Sequence, residues 1–210
     1  MNKLSVNNKA IDTILVLDFG SQYTQLIARR VRESKVYSEI LPWDINEQKI
    51  RMLNPKGVIL SGGPNSVTES YGMQTLAEQM GGHVVSVDQK EFGHSSLDVV
   101  SNSKIFEGIN KKLNVWMSHG DQVQDLPDNF NLIASTSTAP IAVMEHESLP
   151  IYGIQFHPEV THTEQGKKIL NNFILNICHA KTEWNIDDVI SQRIHDIKEK
   201  VKNDKVLLCL

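Results

Sequence analysis

A histidine and a glutamate two residues apart follow the apolar run at residues 151–156, in the segment Gln155-Phe-His157-Pro-Glu159. Histidine is the usual general base near neutral pH. A carboxylate two residues further on can reach the other ring nitrogen, fix the tautomer and stabilise the imidazolium. Because sites in open α/β sheets form beyond the carboxyl ends of strands, we predict a catalytic base and its orienting acid here. The alternative is a turn that carries a surface histidine without a chemical role.

A pair of glycines follows another apolar run. Gly62 and Gly63 come after residues 58–60, which have the sequence Val-Ile-Leu. Without side chains, paired glycines let backbone N–H groups approach a ligand closely and hold a developing oxyanion. The spacing therefore favours a second part of a site at a strand end, and a plain tight turn is the alternative.

A third polar cluster consists of Ser118, His119 and Asp121, directly after the predicted strand at residues 113–117. An aspartate here could bind the α-amino group of a substrate, or it could cap the next segment. The remaining histidines are scattered without the spacing of metal ligands, so the sequence predicts no metal site.

These clusters need a scaffold, and apolar runs and helical periodicity alternate in the first part of the chain. We predict strand, helix, strand, helix and strand at residues 14–17, 22–33, 36–41, 47–53 and 58–60. Continuous apolar runs are typical of strands buried on both faces of a parallel sheet. The pattern predicts an α/β fold with a doubly wound, mostly parallel sheet and flanking helices.

The alternation breaks between Ser61 and Tyr71, where there is no room for the helix and strand that should precede the next helix, residues 74–80. Beyond it we predict antiparallel strands at 83–100, strands at 113–117, 132–135, 141–145 and 151–156, and helices at 167–178 and 184–201. An apolar segment at 204–210 then begins a further strand.

Composition excludes several classes of protein. The chain has 210 residues, a net charge of −4, 40% hydrophobic residues and 22% charged residues. This charge argues against a nucleic-acid-binding protein. Since no apolar run approaches the roughly 20 residues of a membrane span, we expect no membrane insertion. No secretory leader is recognisable, and two cysteines, Cys178 and Cys209, form no disulfide framework. A cytoplasmic location is therefore expected.

Several segments together resemble the N-terminal class I glutamine amidotransferase domain of glutamine-hydrolysing GMP synthases. They are LVLDFGSQYTQLIARRVRE, GVILSGGPNSVTE, YGMQTLAEQMGG, EFGH, VWMSHGD and YGIQFHPEVTHTEQG. The resemblance implies a flavodoxin-like amidotransferase domain at residues 13–180, after a frayed or disordered segment at 1–12. Residues 181–210 resemble the linker helix and first strand of an ATP-pyrophosphatase (synthetase) domain.

The resemblance also implies a reaction. A cysteine attacks the glutamine side-chain amide, a histidine activates it and a glutamate orients the histidine. The ammonia released then aminates ATP-activated XMP to give GMP in purine biosynthesis. His157 and Glu159 match the catalytic pair, and the positions that match substrate-binding segments are Gly62, Gly63, Gln74, Ser118, His119 and Asp121. No cofactor is implied for this domain; ATP and Mg²⁺ belong to the synthetase domain, and the full-length enzyme is expected to be a homodimer.

The chain departs from this family where the nucleophile belongs. The cysteine is expected immediately before Tyr71, and Ser70 stands there, without the preceding helix and strand. Either further residues lie between Glu69 and Tyr71 that the sequence omits, or the segment is truly absent and hydrolysis should fail. In the second case the chain would be an inactive amidotransferase-like binding module. The amidotransferase subunit of another synthetase is a further alternative.

Overall fold

The structure is a computed structural model that describes residues 5–6, 9–63, 72–202, 204 and 206. Its strands are β1 Ser5–Val6, β2 Lys9–Ala10, β3 Thr13–Asp18, β4 Tyr37–Pro42, β5 Gly57–Leu60, β6 His83–Val99, β7 Lys112–Asp125, β8 Phe130–Ser135, β9 Val143–His146 and β10 Tyr152–Ile154. Its α-helices are α1 Thr24–Glu33, α2 Glu47–Leu53, α3 Met73–Gln79, α4 Gly166–Asn171 and α5 Ile186–Val201. A short 3₁₀ turn covers Lys104–Phe106, and α4 continues into a π-helical segment, Asn172–Ile177.

The first sheet is parallel, with the strand order β4-β3-β5. Its central strand, β3, is buried on both faces, as its apolar sequence predicts. Ile14 packs against residues of α1 and the α4 region, whereas Leu15 packs against Leu53 of α2. Helices therefore cover both faces of this sheet, and the predicted α/β class is confirmed.

The second sheet is antiparallel, with the order β10-β9-β8-β6-β7. The parallel part of the fold is therefore smaller than predicted. The prediction that a strand ends before residue 118 is wrong, because β7 runs on to Asp125. It continues because β6 supplies partners on both sides of this segment; Ser118 pairs with Phe92, His119 with Glu91 and Asp121 with Ser86.

The structure describes part of each terminal segment of the chain. Within the segment predicted to be frayed, β1 and β2 form a short antiparallel pair. The helix predicted at 184–201 is α5. Most of the strand predicted at 204–210 lies outside the described residues. Within the part of the chain that the structure describes, no helix has the length and apolar character that crossing a membrane requires.

Strand β5 is less buried than its apolar sequence predicts. The exposed fractions of Val58 and Leu60 are 38% and 39%, whereas Ile14, Leu15 and Val16 of the neighbouring β3 are fully buried. Among the described residues, β5 pairs with β3 on one side only. Within the described part of the chain, its second edge faces a cavity.

Candidate active site

The structure brings His157 and Glu159 together in the turn that follows β10. Nδ1 of His157 lies 2.8 Å from Oε1 of Glu159. The carboxylate is only 3% exposed and the imidazole 19% exposed. The ring of Tyr23 packs on the imidazole, with 4.7 Å between the ring centroids. Because Glu159 occupies Nδ1, the ring nitrogen free to exchange a proton with a substrate is Nε2.

The turn that carries this pair is fixed by bonds to β7, α1 and the loop before α4. The backbone N–H of His157 donates to the carbonyl oxygen of Trp116, at 3.0 Å. Thr163 donates its hydroxyl to the carbonyl oxygen of His157 and accepts the N–H of Trp116. Nε of Arg30 donates to the carbonyl oxygen of Glu159, at 2.8 Å. These bonds hold the imidazole and the carboxylate in one geometry before any ligand arrives.

Gly62 and Gly63 follow β5 and line the same cavity as His157. The preceding residue, Ser61, is fully buried and anchors this strand end to β3. Its N–H donates to the carbonyl oxygen of Leu17, and its Oγ accepts the N–H of Phe19. A Cβ on Gly62 would meet no atom within 4 Å, so open space lies beside this backbone. The two glycines therefore lie where backbone groups can meet a ligand.

Ser118, His119 and Asp121 also line this cavity, although they lie within β7 rather than after a strand. Gln74 of α3 donates its amide to the carbonyl oxygen of Asp121, at 3.2 Å. Gln155 donates to the same oxygen, at 3.4 Å. All the predicted site residues among those described therefore meet in one cavity.

His119 is a buried hydrogen-bonding group. Its Nε2 lies 3.2 Å from Oε2 of Glu91 on the paired strand. Burial lowers the pKa of His119 below its ordinary value, although the Glu91 carboxylate acts in the opposite direction. The contact between Nε2 and the carboxylate joins β7 to β6 at the edge of the cavity.

Sequence reasoning missed three residues at this site, namely Tyr23, Glu91 and Gln155. Gln155 is 6% exposed, and its Oε1 is buried without a hydrogen-bond partner among the described residues. It belongs to the segment singled out for His157, so its neighbourhood could have pointed to it. Nothing local points to Glu91 or Tyr23, since each reaches the site through pairing or packing between distant segments.

The predicted nucleophile position, at or near Ser70 and before Tyr71, lies outside the described residues, as does Cys209. Cys178 lies at the other end of the cavity from His157. It follows the π-helical segment, and a Cβ on Gly57, at the start of β5, would overlap its Sγ. Burial raises the pKa of the Cys178 thiol to about 11. Cys178 is therefore not the nucleophile that His157 could activate.

We expect Cys178 to react slowly with iodoacetamide at pH 8. A thiol whose pKa is about 11 has roughly 100-fold less thiolate at this pH than one near 9, and the thiolate is the reacting form. The measurement is the alkylation rate followed by mass spectrometry in a Cys209→Ala variant, with free cysteine as the control. A rate close to that of free cysteine would contradict the buried position of the thiol.

The cavity itself has a volume of about 1330 Å³ and extends from Cys178 to His157. One wall is β5 and the other is β10, and we refer to it as the inter-sheet cavity. Small-molecule pockets commonly measure about 300–1,000 Å³, so this space exceeds what one amino acid would need.

Comparisons with known proteins identify the family of this chain. The profile of the family described as glutamine amidotransferase class-I matches residues 15–70 and 70–177. The chain belongs to the class I glutamine amidotransferase family. It is 47% identical to a glutamine-hydrolysing GMP synthase of Haemophilus influenzae strain PittGG, over 94% of this chain and 43% of the relative. It is 48% identical to that of Aliivibrio fischeri strain MJ11, over 94% of this chain and 42% of the relative.

Solved structures agree with this assignment. A proposed GMP synthase subunit from Thermoplasma acidophilum superposes with a TM-score of 0.75 and 30% identity, over 90% of this amidotransferase chain and 100% of that one. A glutamine amidotransferase from Thermotoga maritima superposes with a TM-score of 0.59 at 19% identity, over 90% of this chain and 92% of that one, which supports the fold alone.

The comparisons also locate a difference between this chain and its relatives. The family match is interrupted at Ser70. The alignments run over 224 and 217 positions, more than the 210 residues of the whole chain, although only 94% of the chain takes part. The relatives therefore carry residues within the matched region that this chain lacks. Glu69, Ser70 and Tyr71 lie outside the described residues, so the interpretation that residues are omitted there stays a prediction. The chain spans less than half the length of these relatives.

Proposed function

We propose that this chain is the glutaminase domain of a GMP synthase, which hydrolyses glutamine to glutamate and ammonia. The observation that carries the proposal is the His157–Glu159 pair, at 2.8 Å, facing a cavity with backbone glycines on its other wall. Membership of the class I glutamine amidotransferase family supports the reaction. The names of the relatives support glutamine as the substrate.

The geometry assigns a task to each group. Nε2 of His157 takes the proton of the attacking group and then gives it to the departing nitrogen, so that ammonia leaves and the amide C–N bond breaks. Glu159 holds the imidazole and stabilises its charged form. Gly62 and Gly63 line the cavity, and their backbone N–H groups would stabilise the negative charge that the amide oxygen acquires. In the following step, His157 activates the water that releases glutamate from the acylated nucleophile.

The described residues do not include the nucleophile that this reaction requires. The family resemblance implies a cysteine before Tyr71, where this chain has Ser70. A serine hydroxyl is far less acidic than a thiol and does not replace it in a site built for a thiolate. This observation favours a second candidate function, a module that binds glutamine without hydrolysing it.

One pair of measurements separates the two functions. Calorimetry measures glutamine binding, and a coupled glutamate dehydrogenase assay measures ammonia release. Binding with release above the spontaneous rate supports the glutaminase, and binding without release supports the module. Asp121→Asn tests the site, because Asp121 is buried beside Gln74 and Gln155. Asp128→Asn, at an exposed position, is the matched control. Absence of binding in the unaltered protein would overturn both functions.

The acceptor reaction belongs to the remainder of the enzyme. We propose that ammonia passes to a synthetase domain or subunit, which uses ATP and Mg²⁺ to activate XMP, and that the complete enzyme is a cytoplasmic homodimer. The relatives extend well beyond the part that this chain matches, which leaves room for such a domain. GMP formation from XMP, ATP–Mg²⁺ and glutamine by the complete protein tests the acceptor.

A further inference from the structure

Two exposed histidines pack against one tryptophan on the β6–β7 ribbon. His94 belongs to β6 and pairs with Trp116 of β7, whereas His162 lies in the loop before α4. The ring centroid of Trp116 lies 5.2 Å from that of His94 and 4.7 Å from that of His162. The two imidazole centroids are 5.9 Å apart. We refer to these three residues as the histidine–tryptophan cluster.

The two imidazoles of this cluster have no other polar task within the described part of the chain. Both side chains are exposed, and neither ring makes a hydrogen bond or an ion pair to another described residue. The imidazoles of His119 and His157, in contrast, each contact a carboxylate. The ring nitrogens of His94 and His162 are therefore open to a ligand from solvent.

The backbone holds both histidines in fixed positions. His94 lies inside the ladder between β6 and β7. Thr163, next to His162, accepts the N–H of Trp116 at 3.0 Å. The following residue, Glu164, donates its N–H to a carbonyl oxygen of β7 at 2.9 Å. Because both main chains are attached to the same strand, little backbone order has to be gained when a ligand joins the two rings.

The separation of the two rings matches that of two imidazoles on one metal ion. A bond of about 2.0–2.1 Å between zinc and a ring nitrogen places the ring centroid about 3.2 Å from the metal. Two such rings then lie roughly 4.5–6.4 Å apart for bond angles from about 90° to 180°. The 5.9 Å between His94 and His162 falls within this interval.

The charge beside the cluster favours a cation. Hydrogen bonds from the backbone and side-chain amides of Asn114 lower the pKa of Glu164, and the influence of His94 acts in the same direction. Glu164 is therefore a carboxylate at neutral pH, close enough to His94 to interact with it electrostatically. Imidazole ligands suit Zn²⁺, Ni²⁺ and Cu²⁺, whereas Mg²⁺ and Ca²⁺ prefer oxygen ligands.

Such a site would be an open one. Over the residues that the structure describes, no three His, Cys, Asp or Glu side chains are placed to hold a metal ion together. The protein would supply two ligands and water the others, so the ion would exchange with solvent. Sequence spacing does not predict this pair, because His94 and His162 come together only through their separate contacts with β7.

We propose that His94 and His162 together bind one exchangeable late transition-metal ion, such as Zn²⁺, beside the ring of Trp116. The ion joins β6 to the loop that supports the catalytic turn, because Thr163 donates its hydroxyl to the carbonyl oxygen of His157. This inference does not rest on the proposed function, since it involves neither glutamine nor the nucleophile.

The fluorescence of Trp116 tests the proposal, because both imidazoles lie against its ring. Ni²⁺ quenches a nearby indole, whereas Zn²⁺, with a filled d shell, does not. We expect saturable quenching by one Ni²⁺ per chain in the micromolar range. Zn²⁺ should compete and restore the fluorescence, and a large excess of Mg²⁺ should not.

His94→Gln and His162→Gln should each weaken the binding of Ni²⁺ at least about tenfold, since the second imidazole then no longer adds to the first. His83→Gln is the matched control, because His83 is an exposed histidine of the same strand, β6, outside the cluster. It should leave the affinity within about twofold. Trp116→Phe should retain the binding measured by calorimetry and lose most of the quenching.

An unchanged affinity in either His94→Gln or His162→Gln would overturn the proposal, because the two rings would then not share an ion. An equal loss in His83→Gln would also overturn it, since it would indicate unspecific binding to exposed histidines. Proton NMR of the unaltered protein gives a reading that needs no variant. On addition of Zn²⁺, the ring signals of His94 and His162 should shift together, and a shift of only one of them would contradict a shared site.

Discussion

Replacement of His157 with alanine is expected to lower the rate of ammonia release from glutamine by roughly 10²–10⁴-fold, the usual contribution of a general base. Among the described residues, the imidazole is the one titratable ring in the cavity whose Nδ1 is held by a buried carboxylate, at 2.8 Å. Because the ring acts on the reacting atoms, glutamine affinity should change far less than the rate. The measurements are the coupled ammonia assay and calorimetry, performed on the same preparations.

His162→Ala is the matched control for this change. His162 lies five residues further along the chain and is exposed, and its ring packs at a tilt against that of Trp116, outside the catalytic pair. Its removal should leave the rate within about twofold of the unaltered protein, since surface changes have small effects. An equal loss of rate in both variants would show that the turn as a whole, rather than the imidazole, had been disturbed. A His157→Ala variant with the unaltered rate would refute its assignment as the base.

Glu159→Gln separates the positioning of the imidazole from its charge. Glutamine can keep a hydrogen bond to Nδ1 but removes the negative charge that stabilises the imidazolium. The rate should therefore fall, while circular dichroism and the melting temperature show a folded protein. If glutamine at this position left the rate unchanged, the carboxylate would serve packing only.

Sequence reasoning succeeded where the relevant contacts are local. His157 and Glu159 are two residues apart, so a turn suffices to join them, and the structure does join them. The burial of Ile14 and Leu15 follows from an uninterrupted apolar run, because only a strand covered on both faces accommodates one.

It failed where the decisive partner lies far along the chain. Residues 118–121 are polar enough to suggest the end of a strand, but β7 continues through them because it pairs with β6. Glu91 reaches His119 by the same cross-strand register. Val58 and Leu60 are apolar enough to suggest full burial, yet their exposure depends on whether another strand lies beside β5. The amino-acid types at these positions do not indicate which distant strand lies beside them.

The interrupted alternation between Ser61 and Tyr71 shows the two kinds of inference together. Counting residues revealed that a helix and a strand had no room, and the family match is broken at the same place. The number of residues could not predict the structure around this break. In the structure, β5 and β10 line a cavity that extends to the turn carrying His157.

Gly166→Ala is expected to destabilise the protein by about 3 kcal/mol, the upper part of the range for overpacked sites. Gly166 is buried at the start of α4, and a Cβ there would overlap the carbonyl oxygen of Pro158. That oxygen belongs to the backbone between His157 and Glu159, so no change of rotamer can relieve the clash. Either α4 or the catalytic turn must move.

The sign of the effect makes this variant informative. Helix propensity alone would favour alanine over glycine by up to about 1 kcal/mol, so a helix effect predicts stabilisation. Close packing against Pro158 predicts the opposite sign, with a fall in melting temperature of roughly 6–12 °C for a chain of this size.

Gly62→Ala is the control for stability, because its Cβ would meet open space. Urea unfolding of both variants measures the difference. A Gly166→Ala protein as stable as the unaltered one would mean that α4 does not press on the catalytic turn, and that the bonds to Trp116, Thr163 and Arg30 suffice to position it.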